Sequence, residues 1–131
     1  MAHSSKAERP LSPHLQIYKR TLTMTMSIVH RITGVALYAG TLLLVWWLTA
    51  AATSDQYFDM VQAVFGSLIG KLVLFGFTWA LIHHTLGGIR HLVWDTGHGF
   101  GLKDVEMSAR LTLAGSIILT IIVWAIALGV S

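Results

Sequence analysis

The sequence ITGVALYAGTLLLVWWLTAAATS, residues 32–54, runs for 23 residues without one charged side chain. Two more stretches share this character, residues 72–89 and residues 111–131. A helix needs about 20 apolar residues to cross a hydrocarbon core about 30 Å thick. The pattern therefore predicts an all-α integral membrane protein with three transmembrane helices. We place the spans at about 22–52, 62–94 and 107–129.

The composition excludes several classes of protein. Hydrophobic residues make up 54% of the 131 residues and charged residues 11%, where soluble proteins carry about 25% charged residues. The net charge of +3 gathers at the boundaries of the spans, so we attribute it to topology and expect no nucleic acid partner. The chain has no cysteine, which excludes a disulfide, a cysteine-ligated iron–sulfur cluster and a covalently attached c-type haem.

The basic residues also predict the orientation in the lipid bilayer. Residues 1–20 form a polar segment with four Lys or Arg, whereas the first connection, residues 53–59, has none. Lys103 lies in the second connection, although Lys71 on the opposite side weakens the contrast. The positive-inside rule therefore places the N-terminus inside. No secretory signal peptide is evident, and residues 21–131 form a single membrane domain.

The first polar cluster lies at the inner end of the first span, in SIVHRITG, residues 27–34. Ser27 and Arg31 are four residues apart and share one helix face. A hydroxyl and a guanidinium on one face suit a small polar head, such as a quinone carbonyl or a propionate. An arginine that reaches lipid phosphates, with Ser27 bonded to the backbone, fits the spacing equally well.

The second polar cluster is HHTLGGIRH, residues 83–91. Ionisable groups inside a span are costly and indicate a functional site. His84 and His91 are seven residues apart on one face, with Gly87 and Gly88 between them, and this arrangement suits a haem axial ligand. The second imidazole nitrogen then needs an acceptor, for which we expect the carbonyl one turn earlier. A proton relay, an interhelical hydrogen bond and a membrane metal site are the alternatives.

The depth of the histidines limits what one chain can offer. Only His83 or His84 lies near mid-membrane, so we expect one axial ligand here and the other from another subunit. His30, Arg31 and His91 lie nearer the inner edge and suit the haem propionates, whose charges need cationic partners. The chain would then form half of a two-subunit haem-binding helical bundle.

Three stretches together resemble a known family, the cytochrome b subunit that is the larger membrane anchor of succinate dehydrogenase (complex II). They are RPLSPHLQIY at residues 9–18, SIVHRITG at 27–34 and HTLGGIRHLVWD at 84–95. These are similar to the family patterns RP-x-SPHL-x-IY, S-x-x-HR-x-TG and H-x3-GIRH-x3-D. The resemblance covers nearly the whole chain, and three ordered motifs at these spacings are a specific signal.

The resemblance implies a role for each motif. His84 would be an axial ligand of haem b, with the other ligand from a second small membrane-anchor subunit. Ser27, Ile28 and Arg31 would line the ubiquinone site, and His30 and Arg31 would lie near the propionates. Residues 1–20 would contact the iron–sulfur subunit, which docks on the inner side with the flavoprotein subunit.

The expected function is electron transfer from succinate oxidation to ubiquinone, within the respiratory chain and the tricarboxylic acid cycle. The chain is then a subunit of an enzyme and holds no substrate-oxidising centre of its own. The alternatives are a haem-free structural anchor, the anchor of a fumarate-reducing quinol complex, and a histidine-lined transporter. The topology and the missing transit peptide favour a bacterial inner membrane over the mitochondrial one.

Overall fold

The computed structural model describes residues 19–130, and within them the chain is helical. The four helices are α1 (Leu22–Thr53), α2 (Asp55–Gly66), α3 (Leu68–Asp95) and α4 (Leu102–Gly129). Three of them, α1, α3 and α4, are long and apolar enough to cross a membrane. The prediction of an all-α protein with three transmembrane helices is therefore confirmed.

Polar side chains start three of the helices. The hydroxyls of Thr21, Ser54 and Ser67 accept hydrogen bonds from backbone N–H groups in the first turns of α1, α2 and α3. Such caps satisfy donors that have no partner inside the helix. The cap at Ser67 is the tightest, since its Oγ also donates to the carbonyl of Val64 at 2.6 Å.

Two helix bounds differ from the sequence-based ones. The expected connection at residues 53–59 and the start of the expected span at 62–94 form the separate 12-residue helix α2, and the chain breaks at Ser67 before α3 begins. The break exists because Ser67 ends one helix and caps the next. The last helix begins at Leu102, not near residue 107, because a polar first turn with Asp104 is stable outside the hydrocarbon.

The interior of the bundle is small and polar, and its surface is apolar. Ala50, Ala80 and Ala109 are almost fully buried, whereas many large Ile, Leu and Val side chains are more than half exposed. Without water as solvent, membrane helices associate through close approach of small residues and interhelical hydrogen bonds. This distribution is what a lipid-facing bundle requires.

A row of buried hydroxyl side chains on α4 belongs to this polar interior. Thr112, Ser116 and Thr120 are buried, and each donates to a carbonyl three or four residues earlier on its own helix. Their hydroxyls are thus satisfied within the bundle and do not line a continuous polar path. The transporter interpretation gains no support from this row.

Candidate functional site

His84 of α3 is held by two groups of α1. Its Nδ1 lies 3.1 Å from the carbonyl oxygen of His30 and 3.2 Å from Oγ1 of Thr33. A carbonyl can only accept, so Nδ1 of His84 carries the proton. The Thr33 hydroxyl donates to the same carbonyl at 2.9 Å, which leaves its lone pairs to accept from Nδ1. The expected acceptor one turn earlier on α3 is therefore wrong, because the partner comes from α1.

This arrangement leaves Nε2 of His84 as the lone-pair nitrogen. Within residues 19–130 it makes no hydrogen bond, and it reaches the surface of the bundle. Gly34 lies beside the ring, where an added Cβ would stand 3.1 Å from Cε1 of His84. The ring is thus fixed on one edge and available on the other.

Three imidazole rings form a column between α1 and α3. The ring of His30 is stacked on that of His84, with centroids 4.0 Å apart and planes 7° apart, and lies 5.3 Å from that of His91. Gly87 makes this possible, since a Cβ there would stand 2.6 Å from Nδ1 of His30. That Nδ1 is buried and makes no hydrogen bond with any residue from 19 to 130. The space cleared by Gly87 is therefore occupied by His30, while Gly88 faces open space.

His83 points to a different helix. It is 1% exposed, its Nδ1 lies 3.1 Å from Oγ of Ser116 on α4, and its ring packs against Trp79. The Ser116 hydroxyl donates to the carbonyl of Leu113, so it accepts from His83. The two adjacent histidines thus have separate surroundings, one in the α3–α4 seam and the other beside α1.

The three quinone candidates lie on the exposed surface of α1. Ser27, Ile28 and Arg31 are all exposed on the outward side of α1, Ile28 to 54%. Arg31 also lines a shallow hollow with Val35 and Ala39. Among the described residues, the ion pair that is found joins Glu106 and Arg110, so Arg31 makes none there. These side chains form an open face rather than a closed pocket of this chain.

A conventional metal site is not found in the described part of the chain. No group of three or more His, Asp or Glu side chains there could hold a metal ion. The free Nε2 of His84 instead suits a metal whose other ligands come from elsewhere.

The sequence also matches a family model over residues 5–123, described as the succinate dehydrogenase/fumarate reductase transmembrane subunit. The chain belongs to this family. The resemblance seen in the motifs is thereby confirmed, and with it the role of a membrane anchor in an oxidoreductase complex.

Named relatives in this family agree with that assignment. The chain is 43% identical to the succinate dehydrogenase cytochrome b556 subunit of Paracoccus denitrificans, over 93% of this chain and 94% of that one. It is 39% identical to the corresponding subunit of Rickettsia conorii, over 89% and 91%. It is also 38% identical to the mitochondrial cytochrome b560 subunit of Sus scrofa, over 82% and 64%.

The sequence-based predictions assigned no role to two residues that make notable contacts in the structure, Thr33 and Arg90. Thr33 is 1% exposed and contacts His84, and its place three residues after His30 was the available signal. Arg90 is 8% exposed, with its guanidinium carbon 5.1 Å from the ring centroid of Trp94. Nothing in its spacing distinguished it from an arginine at the membrane surface.

Proposed function

We propose that this chain is the haem-binding anchor of a succinate:ubiquinone oxidoreductase and that His84 supplies one axial ligand of haem b. The observation that supports the proposal is the hydrogen bonding of the two nitrogens of the His84 ring. Its Nδ1 is committed to His30 and Thr33, and its Nε2 makes no hydrogen bond within residues 19–130. A histidine held in this way has a fixed tautomer and a fixed ring orientation.

The donor set fits a haem better than a bare ion. One free imidazole nitrogen on an apolar bundle is what a shared site needs, with the second axial ligand from a second small membrane-anchor subunit. When bound, haem b supplies a one-electron redox centre. His83 is unsuited to the role because it is 1% exposed inside the α3–α4 seam, where a group shared with another subunit does not reach it.

His30, Arg31 and His91 form the polar surroundings that we propose for the haem propionates. His91 is exposed and touches His30, and Arg31 is the exposed neighbour of His30 in the chain. Carboxylates at membrane depth need hydrogen-bond donors or cations, and a guanidinium meets that need with several N–H groups. Of the two nitrogens of His30, only Nε2 is available, since Nδ1 is buried against Gly87.

We propose that this chain contributes three residues to the ubiquinone site, namely Ser27, Ile28 and Arg31. A hydroxyl and a guanidinium one helical turn apart can both donate to a quinone carbonyl, and Ile28 offers an apolar surface for the ring. The face is open in this chain, so the other walls belong to neighbouring subunits. Arg31 would bind and polarise the carbonyl that becomes negatively charged on reduction.

The remaining partners follow from the side of the membrane on which these residues lie. Lys19 and Arg20 precede α1, and Lys103 follows the α3–α4 turn, so we infer that this end faces the cytoplasm of a bacterium. The iron–sulfur and flavoprotein subunits would dock there and deliver electrons from succinate. The proposed contact of residues 1–20 with the iron–sulfur subunit lies almost wholly outside the described residues.

The test is purification of the complex through this chain from its native membrane. We expect three further subunits, one haem b per complex and succinate-dependent ubiquinone reduction. Four subunits without haem would leave a purely structural anchor, and haem without succinate-dependent reduction would overturn the assignment of the electron donor. Relative rates with low- and high-potential quinones report whether succinate oxidation or fumarate reduction is the favoured direction.

A further inference from the structure

A groove opens between α3 and α4 beside the turn that joins them. Its volume is about 310 Å³. The walls are mostly apolar, with Leu86, Ile89 and Val93 on α3 and Leu111 on α4. Ile89 and Leu111 are 52% and 64% exposed, so the groove faces outward, on the side of α3 that packs against α4.

One charged side chain at this groove has no hydrogen-bond or ion-pair partner among residues 19–130. Arg90 lines it, is 8% exposed, and its Nε is buried without a hydrogen bond. The nearest compensation is the face of Trp94, 5.1 Å from the guanidinium carbon. Removal of a cation from water costs several kcal/mol unless an anion or hydrogen bonds compensate. Residues 19–130 therefore do not supply the anion that this cation requires.

The one acidic residue of the groove does not supply that anion. Asp104 makes no ion pair with Arg90 within 4.0 Å. It lies in the first turn of α4, with Oδ2 beside Gly101, where the positive end of the helix dipole stabilises a carboxylate. Its charge is thus directed to the start of α4.

We propose that this groove binds an anionic phospholipid, with the phosphate at Arg90 and an acyl chain along Leu86, Ile89 and Leu111. An arginine suits a phosphate because its N–H groups match the phosphate oxygens in pairs. The site lies at the end of two spans, where headgroups are found, and basic pockets between membrane helices bind anionic headgroups. A neutral quinone would leave the charge of Arg90 uncompensated. The proposal does not depend on haem ligation.

The test uses the purified complex in detergent, titrated with phosphatidylglycerol or with phosphatidylcholine of the same acyl chains. Native mass spectrometry counts the bound lipids. For the wild type we expect one phosphatidylglycerol bound about tenfold more tightly than phosphatidylcholine, with no displacement by inorganic phosphate. Arg90→Gln should remove this preference and Arg90→Lys should keep part of it. The matched control is Arg110→Gln, an exposed arginine paired with Glu106, and it should bind like the wild type.

A second variant keeps the test decisive if Arg90→Gln does not assemble. Leu111→Trp fills the groove without touching the charge, and it should displace the lipid while the subunits stay together. A wild type without preference for the anionic lipid would overturn the proposal, and would indicate that a carboxylate of a neighbouring subunit meets Arg90. Retention of the preference in Arg90→Gln or in Leu111→Trp would overturn it as well.

Discussion

At the scale of single residues, the histidine column depends on the missing side chain of Gly87. An added Cβ at this position would stand 2.6 Å from Nδ1 of His30, whereas one at Gly88 would meet nothing within 4 Å. The two glycines are adjacent on α3 and differ only in what they face. They therefore form a matched pair for a mutational test.

We expect Gly87→Ala to displace His30 and, with it, the carbonyl that orients His84. Overpacking of this kind costs about 1–3 kcal/mol, and we expect haem content and thermal stability of the complex to fall together. Gly88→Ala should stay within about 0.5 kcal/mol of the wild type, as changes in open space do. Equal behaviour of the two variants would contradict the role assigned to Gly87.

The sequence could predict that His84 and His91 share a face of α3, but not what holds the ring of His84. A spacing of seven residues placed His84 and His91 on one face of α3, and both rings do border His30. The acceptors of His84 come from residues 51 and 54 positions earlier in the chain. The periodicity of a sequence describes one helix at a time, so it could not predict a contact between α1 and α3.

At the scale of the helix, α1 has two faces with different tasks. Met26 and Thr33 are buried towards the bundle, whereas Ser27 and Arg31 are exposed on the other side. The inner face orients His84, and the outer face is the one that we assign to ubiquinone. One helix can serve both because neighbouring residues point about 100° apart.

The role proposed for the exposed face of α1 leads to a prediction about ubiquinone reduction. Arg31→Ala removes a charged donor to the quinone carbonyl, and hydrogen bonds of this type contribute about 1.5–3 kcal/mol. We expect kcat/KM for ubiquinone to fall by about 10- to 100-fold. Succinate oxidation with a water-soluble acceptor that takes electrons from the soluble subunits should not change. Arg110→Ala is the control, and a similar loss there would argue against a specific role for Arg31.

Helix α2 shows why the spans were easier to predict than the connection. A stretch without charges is a strong signal, and all three spans followed from it. The break at Ser67 depends on a side-chain cap and on Gly70, where a Cβ would collide with the backbone of α2 at Phe65. The Gly66-Ser67 pair was a signal for a break, but the apolar pattern continues across it and favoured one long helix.

At the scale of the whole molecule, the bundle is one subunit of a larger oxidoreductase complex. Ser27, Ile28, Arg31 and His91 are exposed on its surface, and Nε2 of His84 makes no hydrogen bond within residues 19–130. Composition and charge could predict the three spans, and the orientation that the charges indicate stays a prediction. Composition and charge could not predict which polar side chains are buried inside the bundle and which face neighbouring subunits, because this depends on how the helices pack.

The orientation has a direct test, because the chain contains no cysteine. Gln56→Cys places a thiol on α2 and His98→Cys places one in the α3–α4 turn, both at exposed positions. In right-side-out vesicles, a membrane-impermeant maleimide should label the first variant. It should label the second only after the membrane and the complex are dissolved. The reverse pattern would place the N-terminus outside and the docking side with it.

The central claim is that His84, and not its neighbour, ligates the haem. The most direct measurement is the dithionite-reduced minus oxidised spectrum of the purified complex for His84→Ala and His83→Ala. We expect the b-type signal to be lost in His84→Ala while the partner subunits stay attached. His83→Ala should keep the signal, since that residue pairs with Ser116. A signal that survives in His84→Ala and disappears in His83→Ala would contradict the assignment and move the ligand to the α3–α4 seam.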